Sequence, residues 1–292
     1  MRARTLDNRN YGYLFILPFT LVFLIFNVYP IGYSFFLSLQ HWNGFTKMEY
    51  VGFRGYEILI GDPRFWRDLL NTLYLFIINV PLMVILSLVG AVILDSPELP
   101  LKNLFMSIYL FPYFVPLVVV SAIFGLMMGT DYGILNQILG LVGIPHIPWL
   151  ISAAWSKNAI LVALIWRWVG YWTLVSLAGL QSIDKNLYEA AIIDGAGRIR
   201  MFLRITIPLM RPVLLFVFVL NSIGTLQAFD TPYIMTGGGP LQSSETSVMY
   251  IYYYGFTYFK FGQAAAASWI VFIVILIISI LQLRAGRGQA DR

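Results

Sequence analysis

Charged residues divide the chain into long apolar stretches. None falls between Arg9 and Lys47, Asp68 and Asp95, Lys102 and Asp131, Arg211 and Asp230, or Lys260 and Arg284, and each interval holds at least 18 residues. A charge at a helix centre costs about 2.5–3.5 kcal/mol on insertion scales, so charge-free intervals of this length predict helices that cross a ~30 Å hydrocarbon core. A further run, Asn158–Ser182, reads the same way although it contains Arg167. The pattern predicts six spans at about 12–39, 69–94, 104–129, 159–181, 210–229 and 262–283, in one membrane domain over residues 1–292.

Composition agrees. Hydrophobic residues make up 59% and charged residues 11%, against about 45–50% and about 25% in soluble domains. A soluble core cannot hide that much apolar surface, whereas lipid solvates it. The basic start, with Arg2, Arg4 and Arg9, precedes an apolar run from Tyr11 to Leu39. A cleaved leader has an apolar region of only about 7–15 residues and a small-residue site after it. This run is longer and carries no A-x-A site, so it reads as a retained first span.

With six spans both termini share a side. That side collects twelve Lys/Arg, while the longer loops opposite hold six. The positive-inside rule puts both termini in the cytoplasm. The expected fold class is an all-α integral membrane protein. Pro18, Pro30, Pro81, Pro112, Pro116, Gly170 and Gly224 lie within spans. They fit close helix packing or broken helices around a polar cavity.

Several chemistries are missing. There is no G-x-x-x-x-G-K-[ST] loop to cradle phosphates, no H-E-x-x-H, no G-x-S-x-G and no cysteine. His41 and His146 fall outside the spans, and acidic residues are absent from span centres. Enzymes and ion-coupled carriers that use intramembrane carboxylates are disfavoured.

The most informative segment lies outside the spans, at 184–208. Asp184 is placed to cap a helix over Lys185–Asp194, and Gly195 and Gly197 to break it. A second short helix follows, with Ile199, Phe202 and Ile205 on one side and Arg200 and Arg204 on another, ending at Pro208. Alone, this reads either as an amphipathic helix on lipid headgroups or, from the small residues Ala190, Ala191, Gly195 and Ala196, as a surface for a close-fitting partner.

The spacing Glu189-Ala190-Ala191, Gly195, Ile205, Pro208 resembles the EAA loop of ABC importer permeases, with Ile207 where the family usually has Leu. The resemblance implies a cytoplasmic coupling helix between spans 4 and 5 that docks on an ATPase. Its docking residues would be Glu189, Ala190, Ala191, Asp194 and Gly195, with Phe202 counted among the coupling positions. ATP and Mg would sit on two separate ATPase subunits, and this chain would bind no cofactor or metal and catalyse nothing.

A second stretch, Phe229 to Pro240 with Thr236-Gly237-Gly238-Gly239-Pro240 at its end, looks like the loop after the fifth span of carbohydrate-type permeases. Tyr29-Pro30, Leu110-Phe111-Pro112, Leu180–Ile183, Tyr258, Phe261, Gly262 and Ala264–Ala267 match as well. The whole is similar to the maltose- and glycerol-phosphate-type subunit. This implies a second homologous permease, an extracytoplasmic solute-binding protein and a sugar or sugar-like cargo.

The resemblance brings solute contacts onto Val169, Gly170 and Thr173 in span 4 and onto Asn221, Gly224, Thr225 and Ala228 in span 5. Several of these positions are less polar here than in the maltose-type subunit. Asn221 and Thr225 also suit interhelical hydrogen bonds. Arg167 stands apart, because a lone intramembrane arginine marks a functional site by default. The aromatic run Tyr250–Phe259 fits an interfacial belt or a sugar-stacking surface. Rival readings are an ATP-independent secondary transporter of small polar solutes and a membrane enzyme acting on lipid-linked sugars.

Overall fold

The computed structural model describes residues 9–96 and 98–287. Their chain forms two compact units, Met1–Asp62 with Ile251–Ile270 and Pro63–Tyr250 with Val271–Arg292.

The first unit opens with α1 (Arg9–Phe23), a π-turn (Leu24–Val28) and α2 (Tyr29–Ser38). Along Phe15–Ser38 the apolar side chains point outward, with Phe15, Phe19 and Phe26 among the most exposed. Lipid, not protein, is the solvent that suits such a surface. A two-residue antiparallel pair, β1 (Gln40–His41) and β2 (Glu49–Tyr50), and α3 (Arg54–Ile60) follow. The Ser38 and Tyr56 hydroxyls meet at 2.7 Å, and Tyr254 donates to Asp62 at 3.0 Å.

The second unit is a helical bundle. Its elements are α4 (Pro63–Asp95), α5 (Lys102–Phe114), α6 (Leu117–Met127), α7 (Ile134–Leu141), α8 (Ser156–Gln181), α9 (Lys185–Ile193), α10 (Arg198–Met201), α11 (Ile207–Leu226) and α12 (Asp230–Thr236). Two more helices, α13 (Ser247–Tyr252) and α14 (Phe261–Arg287), have residues in both units. Helix α4 is about 50 Å long at 1.5 Å per residue, ample to cross a bilayer. Its buried residues Asp68, Thr72, Leu75, Asn79, Met83, Ser87, Ala91 and Leu94 recur every three or four positions. In α8 the stripe is Ala163, Arg167, Gly170, Thr173, Ser176, Leu177 and Leu180. Each stripe is the single face a 3.6-residue period creates, and α4 and α8 pack along these faces with α11 against both.

Among the described residues, five helices are long and apolar enough to cross a membrane, and the bent pair α5 and α6 makes a sixth if counted as one span. The stretch 104–129 is therefore not one straight helix. Its halves meet at 96°. Pro116 supplies the cause: it has no N–H to continue the helix, and it pushes Val115 into an extended conformation, φ −73°, ψ 132°.

Pro208 behaves differently from the sequence expectation. It does not end a helix, because the chain is helical without interruption from Arg198 to Leu226. A π-turn at Phe202–Thr206 immediately precedes it, with the Ile207 N–H donating to the Phe202 carbonyl five residues back. The wider turn accommodates a proline that would otherwise clash with the carbonyl four residues earlier. Pro30 has the same arrangement, two residues after the π-turn Leu24–Val28, where Tyr29 donates to Leu24.

Candidate functional site

Polar side chains buried in apolar helices are the natural place to look for a solute path, because lipid offers them no partner. The bundle of α4, α8, α11 and α14 holds such a set. Asn79 of α4 donates to the Thr225 hydroxyl of α11 at 2.8 Å. Ser176 of α8 donates to Ser87 of α4 at 3.2 Å, and Gln282 of α14 to Ser222 of α11 at 2.8 Å. Asn79 Oδ1, Thr173 Oγ1, Asn221 Nδ2 and Gln282 Oε1 are buried without a hydrogen-bond partner among the described residues.

A second group surrounds Arg167, which is 9% exposed. It sits about 16 Å along α8 from Ser156, mid-helix. Its guanidinium carbon lies 5.2 Å from the Tyr113 ring centre and 5.3 Å from that of Trp168. Tyr113 stacks on Tyr171 at 4.7 Å, and Tyr171 meets Trp172 edge-on at 4.9 Å. The arginine therefore rests on an aromatic platform built by α8 and the last turn of α5. Arg167 Nε and Nη1 and Trp172 Nε1 have no hydrogen-bond partner among the described residues. Cation–π contacts are worth about 0.5–2 kcal/mol each. Effective penalties for a buried ion are several kcal/mol, so the platform offsets only part of the cost.

The sequence-predicted positions divide. Arg167, Gly170 and Thr173 share the buried face of α8. A Cβ on Gly170 would collide with the Tyr109 carbonyl oxygen, so this glycine lets α8 approach α5 closely. Val169 packs beside Met83, Trp172 and Val217. On α11, Asn221 and Thr225 are buried one turn apart, while Gly224 is exposed with open space where a Cβ would stand. Ala228 is buried, and its carbonyl accepts from Thr246 at 2.8 Å. Gly170 and Val169 thus serve packing, and Thr225 is engaged with Asn79.

Residues 184–201 are exposed or half-buried, and the segment turns inward after them, with Thr206 buried. Asp184 accepts from the Asn186 N–H at 2.9 Å and starts α9. Glu189, Ala190, Asp194 and Gly195 are exposed and Ala191 half-buried. Gly195 has φ +74°, a left-handed turn that glycine adopts without cost. The Tyr188 and Thr206 hydroxyls meet at 2.9 Å and tie α9 to the start of the α11 rod. Phe202 faces inward, against Leu88, Leu180 and Met210.

The glycine-rich loop folds back on α4. Gly237 and Gly238 take φ +58° and +85°. Asn71 donates to the carbonyls of Gln242 and Glu245 at 3.1 and 3.0 Å, and Arg67 bonds the Gln242 side chain. Glu245 and Asp68, both fully buried, face Arg64. In the run Tyr250–Phe259, Tyr250 is buried against Phe65, whereas Phe256, Tyr258 and Phe259 are exposed.

The profile of the binding-protein-dependent transport system inner membrane component family matches residues 58–288. The chain belongs to that family. Among similar permease-family proteins, the lactose transport system permease protein LacF of Rhizobium radiobacter is 38% identical over 95% of this chain and 94% of its own length. The trehalose/maltose transport system permease protein MalF of Thermococcus litoralis is 34% identical over 96% and 95%. Among solved structures, a bacterial alginate ABC transporter in complex with an alginate pentasaccharide-bound periplasmic protein aligns with a TM-score of 0.84. It is 24% identical and covers 97% of each chain, which establishes a shared permease fold.

Asn79, Gln282 and Glu245 were not singled out from sequence. Asn79 and Gln282 are lone amides in apolar runs, and Glu245 is the one acid in a serine- and threonine-rich stretch. Those signals were present, but packing alone reveals their partners.

Proposed function

We propose that this permease is one of two that together form the translocation pathway of an ATP-driven importer, carrying a sugar or sugar-like solute delivered by an extracytoplasmic binding protein. Full-length similarity to permeases named for lactose and for trehalose and maltose supports the carbohydrate cargo. Both termini and the 184–208 loop face the cytoplasm, a reading supported by the excess of Lys/Arg on that side. ATP and Mg belong to two separate ATPase subunits. Residues Glu189, Ala190, Ala191, Asp194 and Gly195 dock on them, and Phe202 carries movement of the docking helix into the bundle.

The observation that carries the coupling role is the exposed helix Lys185–Ile193. It is capped by Asp184, closed by the Gly195 turn and tied through Tyr188 to the base of a rod reaching Leu226. Force on such a helix reaches the polar face of α11 through one rigid element. Arg167, Thr173, Asn221, Gly224, Thr225 and Ala228 then line or border the path, with Val169 and Gly170 shaping it.

Affinity purification of this chain from its native membrane tests the reading. An ATPase dimer and a second permease should co-purify, and solute-loaded binding protein should stimulate ATP hydrolysis. Uptake by the isolated chain without ATPase subunits would overturn it in favour of a secondary transporter.

A further inference from the structure

The Arg167 cluster says something about the cargo itself. Its two aromatic neighbours attract the guanidinium charge but leave the edge donors Nε and Nη1 without an acceptor among the described residues. Trp172, on the same aromatic cluster, buries an Nε1–H in the same condition. Both groups are donors only. What they take must therefore be rich in acceptors. A neutral hydroxyl is served equally well by Ser, Thr, Asn or Gln, which the bundle already supplies. A permanent positive charge held mid-helix in an aromatic cradle is instead complementary to a negative one. Flat rings beside it also suit the C–H face of a sugar.

Resting on the permease reading above, we propose that the transported solute bears an acidic group, a carboxylate, sulfonate or phosphate, and that Arg167 with Tyr113 and Trp168 holds that group as the solute passes. Among the described residues no carboxylate pairs with this arginine, whose guanidinium lies against the rings of Tyr113 and Trp168.

The test uses the intact complex in lipid nanodiscs, with intrinsic tryptophan fluorescence as the readout. Glucose, glucuronate and glucose 6-phosphate are the probes. At least one acidic probe should act at a concentration at least about tenfold below glucose. Arg167→Gln should abolish that preference, and Arg167→Lys should keep part of it, since charge without the planar fork remains. Acidic probes no better than glucose, or none that responds, overturn the proposal. So does an Arg167→Gln chain that loses its partner permease on gel filtration, which would give the guanidinium to a partner carboxylate. ATP hydrolysis stimulated by loaded binding protein is followed in parallel. If it persists while the acidic preference is absent, the importer reading stands and only the cargo inference falls.

Discussion

Arg64 donates to the Glu245 carboxylate at 2.6 Å, joining residues 181 positions apart. Glu245 is 1% exposed and Asp68, beside the same arginine, is 0%. Burying charges is costly, so the group holds together only while its balance of signs is kept. Removing one acid upsets that balance at the point where the loop after Gly237–Pro240 is fastened to α4. Glu245→Ala should destabilise the chain by about 3–5 kcal/mol, and Glu245→Gln by less, since an amide still accepts. Thermal unfolding of the detergent-solubilised protein checks both. An unchanged melting temperature for Glu245→Ala would remove the network's structural role.

Gly170 sits on the buried face of α8. Its missing Cβ is what lets the Tyr109 carbonyl come against α8. Gly170→Leu forces α5 away and disturbs the Tyr113 platform near Arg167. Overpacking with a backbone shift costs about 1–3 kcal/mol, so lower expression and earlier unfolding are expected. Gly224→Ala is the control, because open space surrounds its Cβ position. It should fold normally, and equal loss in both variants would contradict the packing assignment.

Hydrophobic pattern made the helices legible, since charge-free length is a strong local signal. The Asp184 cap and the Gly195 turn were legible for the same reason: each depends on a few adjacent residues. The break at Val115–Pro116 was less so, because Pro112 and Pro81 remain inside helices while Pro116 does not. A proline removes one donor anywhere, and the surrounding packing decides whether the chain bends. The π-turns before Pro30 and Pro208 make the same point, as a local widening keeps each helix intact. At the site, Arg167 stood out as a charge, but its platform could not, because Tyr113 comes from another helix. Partner identity across helices, as for Asn79 with Thr225, is a property of packing.

That Asn79–Thr225 pair separates structure from transport. Thr225→Val removes the acceptor for Asn79 Nδ2 and leaves the amide, whose Oδ1 already has no partner among the described residues, without this bond. Hydrogen bonds between membrane helices average about 0.6 kcal/mol with a maximum near about 1.7. The variant should therefore unfold about 1 kcal/mol earlier and still assemble. If the pair borders the solute path, uptake falls about tenfold, more than that stability loss explains. Uptake that tracks stability alone would confine the pair to packing. A double-mutant cycle with Asn79→Leu should show coupling, since each single change strands the other side chain.

Gly195 follows α9 in a left-handed turn. Its φ of +74° favours glycine, yet a Cβ there would meet nothing within 4 Å. Any side chain therefore projects away from this chain, toward whatever covers α9. Gly195→Asn should cost little, as asparagine tolerates the left-handed region, while Gly195→Ala should cost about 1 kcal/mol through backbone strain. Gly195→Val adds β-branched bulk in the same place. Were the surface free, these variants would differ only by that strain. Under the docking role, Gly195→Val and Gly195→Asn should both lower solute-stimulated ATP hydrolysis of the assembled complex, by about tenfold or more for valine. The decisive comparison is Asn against Ala, because asparagine is bulkier but less strained. If hydrolysis follows bulk, the surface is a docking site; if it follows strain, Gly195 only shapes the turn.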